Sequence, residues 1–227
     1  FQQEQRLLLC MHDGLLWPVA FLGSILAGVI PIAVNTLLTP QDYAYMLQDS
    51  RAHGLVVSHA LWPQFADALA SSPSHPKVFW DSPETTEQGI SIAQMLKSSQ
   101  PIAACAPTLA DDVCFWLYSS GSTGSPKGTL HLHSHIIQTA RLYAQDVLGL
   151  KENDVVFSAA KLFFAYGLGN ALSFPLALGA TTVLLGKRAI AADVFAVLKT
   201  YQPTVFYGVP TLFASLLADA DRPAAKD

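Results

Sequence analysis

The sequence predicts an α/β fold in which parallel-rich β-sheets are layered with flanking helices. Short β-rich apolar runs alternate with helix-period segments along almost the whole chain, at the spacing of strand–helix–strand units. Apolar residues make up 51% of the 227 residues and charged residues only 13%, which supplies a large core and excludes a disordered chain. The helical segments carry few charges, as expected of helices whose neighbours cover much of their surface.

Arg6 to Met11 predicts a strand. Leu15 to Val34 carries no charge and is long enough to cross a bilayer, but Pro18, Gly23, Gly28 and Pro31 punctuate it. It reads better as a buried helix from Trp17 to Ala27, stopped at Gly28, followed by a strand from Val29 to Val34. Thr39 can cap the next helix, Pro40 suits its first position and Asp42 favours its positive end, so a helix runs to about Ser50. A strand at Gly54 to Ser58, a helix from Leu61 to Ala70 and a short strand at Lys77 to Trp80 follow. Asp81 to Leu109 is rich in Ser, Pro, Thr and Gln around one helical patch, Ile90 to Leu96, and reads as an irregular connection. Alternation resumes with a strand at Val113 to Tyr118, a glycine-rich turn and a helix from His133 to Val147. The remaining strands are Asp154 to Ala159, Thr181 to Leu185 and Thr204 to Tyr207; the remaining helices are Tyr166 to Leu178, ended by Gly179, Ala191 to Thr200, and Pro210 to Leu217.

The net charge is −4, which argues against a nucleic-acid or anionic-membrane surface. Cys10, Cys105 and Cys114 are odd in number and lack metal-like spacing; Cys10 and Cys114 sit in apolar runs, as buried free thiols of a reducing, cytoplasmic compartment would. No cleavable leader is visible, and the first residue is Phe1, so the chain reads as a piece of a longer protein.

The densest chemistry follows the strand at Val113. Ser119-Ser120-Gly121-Ser122-Thr123-Gly124-Ser125-Pro126-Lys127-Gly128 combines hydroxyls, glycines and one cation. Gly121, Gly124 and Gly128 allow backbone N–H groups to approach an anion closely. Ser119, Ser120, Ser122, Thr123 and Ser125 offer hydroxyl donors, Lys127 a point charge, and Pro126 a conformational limit. The loop therefore suits phosphate. A P-loop of the form G-x-x-x-x-G-K-[ST] is excluded, because Pro126 replaces the second glycine and Gly128 the magnesium-binding hydroxyl. A serine-hydrolase elbow is excluded because G-x-S-x-G occurs around neither Ser119 nor Ser122. His131, His133 and His135 alternate, but no carboxylate or cysteine lies near them and three His at this spacing converge only on a strand, so no metal ligands are expected.

The loop resembles the signature of the adenylate-forming superfamily, which includes acyl-CoA and aryl-CoA ligases, peptide-synthetase adenylation domains and beetle luciferases. Leu26-Ala27-Gly28 with Pro31 and Asn35-Thr36-Leu37 resembles an upstream superfamily segment. The run from Asn153 to Asn170, with Phe163-Phe164-Ala165-Tyr166-Gly167 at its centre, and the run from Pro203 to Thr211 are similar to benzoate–CoA ligases. The resemblance extends from Arg6 to about Leu217.

This resemblance implies the N-terminal domain of such an enzyme, with residues 1–148 as a first α/β subdomain and 149–227 as the incomplete start of a second. It implies ATP-dependent activation of an aromatic carboxylate to an acyl-adenylate, then thioester formation with coenzyme A, with Mg²⁺ as cofactor. Lys127 and Thr123 would be catalytic, and Ser119 to Ser125 with Lys127 and Gly128 would hold the ATP phosphates. Phe164, Ala165, Tyr166, Gly167 and Tyr207 would line the acyl pocket, with Phe164 standing where many relatives carry His. The helix start the family places near His133 breaks the His trio. The missing parts would leave this piece inactive alone, with exposed apolar edges that favour a homodimer or aggregation.

Overall fold

Strand β1 (Arg6–Cys10) is apolar and buried along almost its whole length, which marks a central strand of a sheet covered on both faces. The computed structural model describes residues 1–73, 75–119 and 125–223. Cα packing divides it into two compact units, Phe1–Ser134 and His135–Asp227. The division falls earlier than the expected boundary after residue 148, because Ala144 packs in a core with Leu150, Val156 and Ala180.

In the first unit, α1 (Leu16–Leu26) is followed by Gly28, whose φ of 72° suits a residue without Cβ. Then come β2 (Ile30–Ala33), α2 (Pro40–Ser50), β3 (Gly54–Val57), α3 (Trp62–Ala70), β4 (Lys77–Trp80), β5 (Ile90–Ser91), α4 (Ile92–Ser98), β6 (Val113–Ser119) and β7 (Lys127–Leu132). Helix α5 (His133–Thr139) starts here, where its first N–H groups bond the carbonyls of Asp112 and Ala110. The seven strands form one sheet in the order β5-β4-β3-β1-β2-β6-β7, parallel except for the last pair. Thr39 and Asp42 close a capping box on α2: the Thr39 hydroxyl accepts from the Asp42 N–H at 3.2 Å, and the Asp42 carboxylate accepts from the Thr39 N–H at 3.1 Å.

Alternation along the strands sorts the core into two layers. On one face Leu8, Cys10, Ile32, Leu55 and Val57 meet Tyr43 and Leu47 of α2 and Phe65 of α3. Burial pushes the Cys10 thiol up to about 12, so it packs as a neutral group. On the other face Trp17 stacks on Phe21 at 5.0 Å, and Phe21 meets Phe115 edge-on at 5.5 Å. Helix α1 is not the fully buried helix that its uncharged sequence predicts. Only Trp17 and Phe21 are buried, while Val19 and Leu26 stand about half exposed. Among the described residues no helix is long and apolar enough to cross a membrane.

The second unit carries the remainder of α5, then β8 (Val155–Ser158), α6 (Ala165–Leu168), α7 (Phe174–Leu178), β9 (Thr181–Val183), α8 (Ala191–Tyr201), β10 (Val205–Tyr207) and α9 (Pro210–Ala218). Its strands pair in parallel in the order β10-β8-β9. Val156 and Tyr207 face Ala144 and Phe174, whereas Phe157 and Val183 face Val194, Val197 and Leu216.

Two of the expected helices are wound differently from the α-period their sequences suggest. After α5 the chain continues as π-turns over Ala140–Gln145, and π-turns over Gly169–Ser173 separate α6 from α7. Pro175 accounts for the second. It has no N–H to give the Ala171 carbonyl and its ring crowds the preceding turn. The Ala171 carbonyl instead accepts the Thr182 hydroxyl at 2.8 Å.

The sequence predicts a turn directly into the helix at His133, and the structure inserts strand β7 before it. This strand supplies antiparallel partners to the edge of β6 that would otherwise be unpaired. It also separates the His trio: His131 lies on β7, stacked on Phe115 at 4.6 Å, while His133 and His135 lie on α5. Among the described residues no group of three or more His, Cys, Asp or Glu is placed to hold a metal ion.

Candidate functional site

The phosphate-loop candidates sit where β6 and β7 part. Ser119 ends β6 and Lys127 begins β7, and the two are direct cross-strand partners. Both are exposed, as is Ser125. Ser120, Gly121, Ser122, Thr123 and Gly124 lie outside the described residues. Strand β6 runs parallel to β2, so the loop leaves the sheet at its carboxyl edge, the usual ligand edge of parallel sheets.

Gly128 has a packing role in addition to the close anion approach its sequence suggests. It pairs with Tyr118, and a Cβ there would come within 3.1 Å of the Trp116 ring. Trp116 and Tyr118 thus lie over Gly128 on one face, and Lys127 with Ser119 belongs to the other. Tyr118 is itself anchored, since its hydroxyl donates to the Asp49 carboxylate at 2.7 Å. Burial, followed by that hydrogen bond, raises its pKa well above the ordinary tyrosine range. A cleft of about 380 Å³ in this unit is lined by Arg6, Asp111 and Trp116 among others.

The aromatic candidates form a second cluster, at the carboxyl ends of β8 and β10. The Ala159 N–H bonds the Tyr207 carbonyl at 2.9 Å, which joins the two strand ends. Phe164 is the extended residue just before α6 and is half exposed; its ring lies 4.6 Å from that of buried Phe163. Ala165 opens α6 and is exposed. Tyr166 stands edge-on to Tyr207, with ring centroids 6.3 Å apart at 87°, and its hydroxyl donates to the Gly208 carbonyl at 3.4 Å. Burial pushes the Tyr207 hydroxyl up to about 12, with Tyr143 and Tyr166 adding to it, so it is a neutral donor and acceptor near pH 7. Tyr166 and Tyr207 are therefore in contact, and Phe164 and Ala165 adjoin Tyr166 in the chain.

Gly167 has a packing role. A Cβ at this position would lie 2.1 Å from the Lys161 carbonyl oxygen, so only glycine lets α6 pack this close to the preceding loop. Two further residues were not singled out by sequence reasoning. The Lys161 ammonium donates to the carbonyl of Leu185 and, at 2.6 Å, to that of Lys187, tying the loop after β8 to the segment after β9. Its signal was a lone cation inside the apolar run Ala159 to Phe164. Asn170 is 2% exposed within the π-turns, and nothing in its local sequence marks it as buried.

Residues 1–227, the whole chain, match the AMP-binding enzyme family. The chain belongs to that family. It is 55% identical to the benzoate–CoA ligase of Thauera aromatica over 98% of this chain and 42% of that protein. It superposes on a benzoate CoA ligase from Burkholderia xenovorans LB400 with a TM-score of 0.91 and 47% identity, covering 100% of this chain and 44% of that one. It also superposes on the anthranilate CoA ligase AuaEII in complex with anthranoyl-AMP, with a TM-score of 0.94 and 34% identity over 97% of this chain and 43% of that one. This AMP-binding chain therefore spans less than half the length of the relatives it matches. Its α/β architecture, with a mostly parallel sheet flanked by helices, is that of adenylate-forming enzymes, as the sequence predicts.

Proposed function

We propose that the full-length protein activates benzoate or a substituted benzoate with ATP and then transfers the acyl group to coenzyme A. The carboxylate oxygen attacks the α-phosphorus of ATP; the bond to the bridging oxygen breaks and pyrophosphate leaves. The thiol of coenzyme A then adds to the acyl carbon and AMP departs, giving the thioester. One observation carries the reading: in a chain 55% identical to a benzoate–CoA ligase, Tyr166 stands edge-on to Tyr207, with Phe164 and Ala165 just before it at the start of α6. Aromatic and small apolar side chains of this kind suit a single ring by edge and face contacts.

The first step has a charge problem, because a carboxylate must approach a polyanion while negative charge builds on pyrophosphate. Ser119, Ser125 and Lys127, with Ser120, Ser122, Thr123 and the loop glycines, suit that task as hydroxyl, amide and ammonium donors. Magnesium would accompany the nucleotide and offset part of its phosphate charge. The buried free thiols Cys10 and Cys114 fit a cytoplasmic enzyme.

The test is ATP–pyrophosphate exchange by the full-length protein across benzoate, substituted benzoates and octanoate. Exchange with the benzoates well above that with octanoate is expected. Preference for octanoate, or no exchange with any acid, refutes the reading.

A further inference from the structure

Asp49 sits against the dipole of its own helix. It lies in the last turn of α2, where the negative helix end disfavours a carboxylate. Its partner is on another element: the carboxylate accepts from the Tyr118 hydroxyl at 2.7 Å, and the Met46 carbonyl of the same helix stands 3.4 Å from that hydroxyl. The adjoining Ser50 carbonyl accepts from Nε of Arg6, whose guanidinium lies 5.9 Å from the Trp116 ring centre. The last turn of α2 therefore holds Tyr118 directly and Trp116 through Arg6. Both residues belong to β6, and both rings lie over Gly128, whose Cβ would stand 3.1 Å from Trp116 and 3.7 Å from Tyr118. The backbone gives this end of β6 less support. Strand β2 pairs with it at Trp116 and Leu117, so Tyr118 and Ser119 lie beyond that ladder. Strand β7 is the edge of the sheet, so its partner β6 sets where its first residue, Lys127, lies.

We propose that Asp49 and Tyr118 are positioning residues for adenylate formation: their hydrogen bond fixes the projecting end of β6, and with it the Ser119–Lys127 pair that brackets the phosphate loop. This rests on the reading of Lys127 as a donor to the nucleotide phosphates. Tyr118 pairs with Gly128 and Ser119 with Lys127, so the tyrosine and lysine side chains leave the ladder on opposite faces. The Tyr118 hydroxyl thus acts through the strand and not on the phosphates. Burial, followed by the bond to Asp49, keeps that hydroxyl protonated near pH 7, so it stays a donor. A charge-assisted bond of this kind is the stronger type, which suits a tie between two elements that no backbone ladder joins.

The experiment measures single-turnover adenylate formation from benzoate by the full-length protein, together with equilibrium binding of benzoate. The variants are Asp49→Ala, Tyr118→Phe and Lys127→Ala, with each of the first two also combined with Lys127→Ala. Asp49→Ala and Tyr118→Phe should each slow the step about tenfold or more, as small misplacements of reacting groups do, and leave benzoate affinity unchanged. On the Lys127→Ala background either substitution should change the rate by less than about twofold, because the group it positions is gone. A general loosening of the fold would instead slow both backgrounds alike. Thermal melting is measured alongside; should Tyr118→Phe not fold, Asp49→Ala, at an exposed helix position, decides alone. An unchanged rate in a folded variant overturns the inference, as does an effect of equal size with and without Lys127, or a matching loss of benzoate affinity. If Lys127→Ala itself leaves the rate unchanged, the reading of Lys127 beneath the inference is what fails.

Discussion

Ser119 and Lys127 face each other across the β6–β7 ladder as the last paired residues before the two strands separate. The ladder thereby fixes both ends of the hydroxyl- and glycine-rich loop at one point of the sheet, and the ammonium at its exit shares a strand face with the hydroxyl at its entrance. The ladder holds the Lys127 backbone, so in the proposed reaction only its side chain would have to be ordered when the nucleotide arrives.

Lys127→Ala in the full-length protein should therefore slow adenylate formation by about 10²–10³-fold, the range for loss of one preorganised donor. Affinity for the aromatic acid should change far less. Single-turnover adenylate formation with equilibrium binding of benzoate separates the two, and an unchanged rate would remove Lys127 from the chemistry.

Ala165 opens α6 beside Phe164 and Tyr166. A larger side chain, as in Ala165→Leu, should shorten the slot along the ring. Substrates with a para substituent should lose about tenfold more kcat/KM than benzoate, the scale of one or two methylene groups in a pocket. Equal losses for both substrates would count against Ala165 as a lining residue.

Gly167→Ala tests the close approach of α6 to the Lys161 carbonyl. The new methyl cannot be accommodated at 2.1 Å from that oxygen, so α6 must shift. A loss of about 1–3 kcal/mol is expected, as for other overpacked sites, and is read from the urea midpoint. A midpoint equal to that of the unaltered protein would show that the loop yields freely.

Asp154 gives a pH signature. Its carboxylate accepts from the Thr204 hydroxyl and the Lys151 N–H, each at 2.7 Å. Those bonds, that from Thr204 first, hold its pKa below the ordinary 3.8. A lowered folded-state pKa stabilises the protein above the unfolded value, and the contribution fades as pH falls through 3.8 and below. Asp154→Asn should therefore melt lower than the unaltered protein at pH 7, with the gap closing toward pH 2. A gap of the same size at both pH values would mean that the charge contributes nothing.

How much of this was legible beforehand follows from which forces are local. The Thr39–Asp42 cap and the strand at Arg6 were readable because cap chemistry and apolar runs act within a few residues. Strand β7 was not, since Lys127-Gly128-Thr129-Leu130-His131-Leu132 has no strong apolar alternation and becomes a strand through pairing with β6. The loop announced itself by composition, whereas the opposition of Ser119 and Lys127 exists only in the ladder. Tyr166 and Tyr207 were legible as aromatics, but their edge-on contact and the Gly167–Lys161 approach arise from backbone packing between distant segments.

The π-turns at Gly169–Ser173 make the count of residues matter there as much as their kind. Such a turn houses one residue more than the α-turn it replaces. Deleting a single codon in this stretch removes that extra residue while Pro175 still leaves the Ala171 carbonyl without an N–H, so the backbone on either side must rearrange. The contacts at stake are Phe174 with Tyr143 and the Ala171 carbonyl with the Thr182 hydroxyl. Point substitutions can be absorbed by repacking, whereas a frame-preserving deletion here would disturb the backbone that carries those contacts.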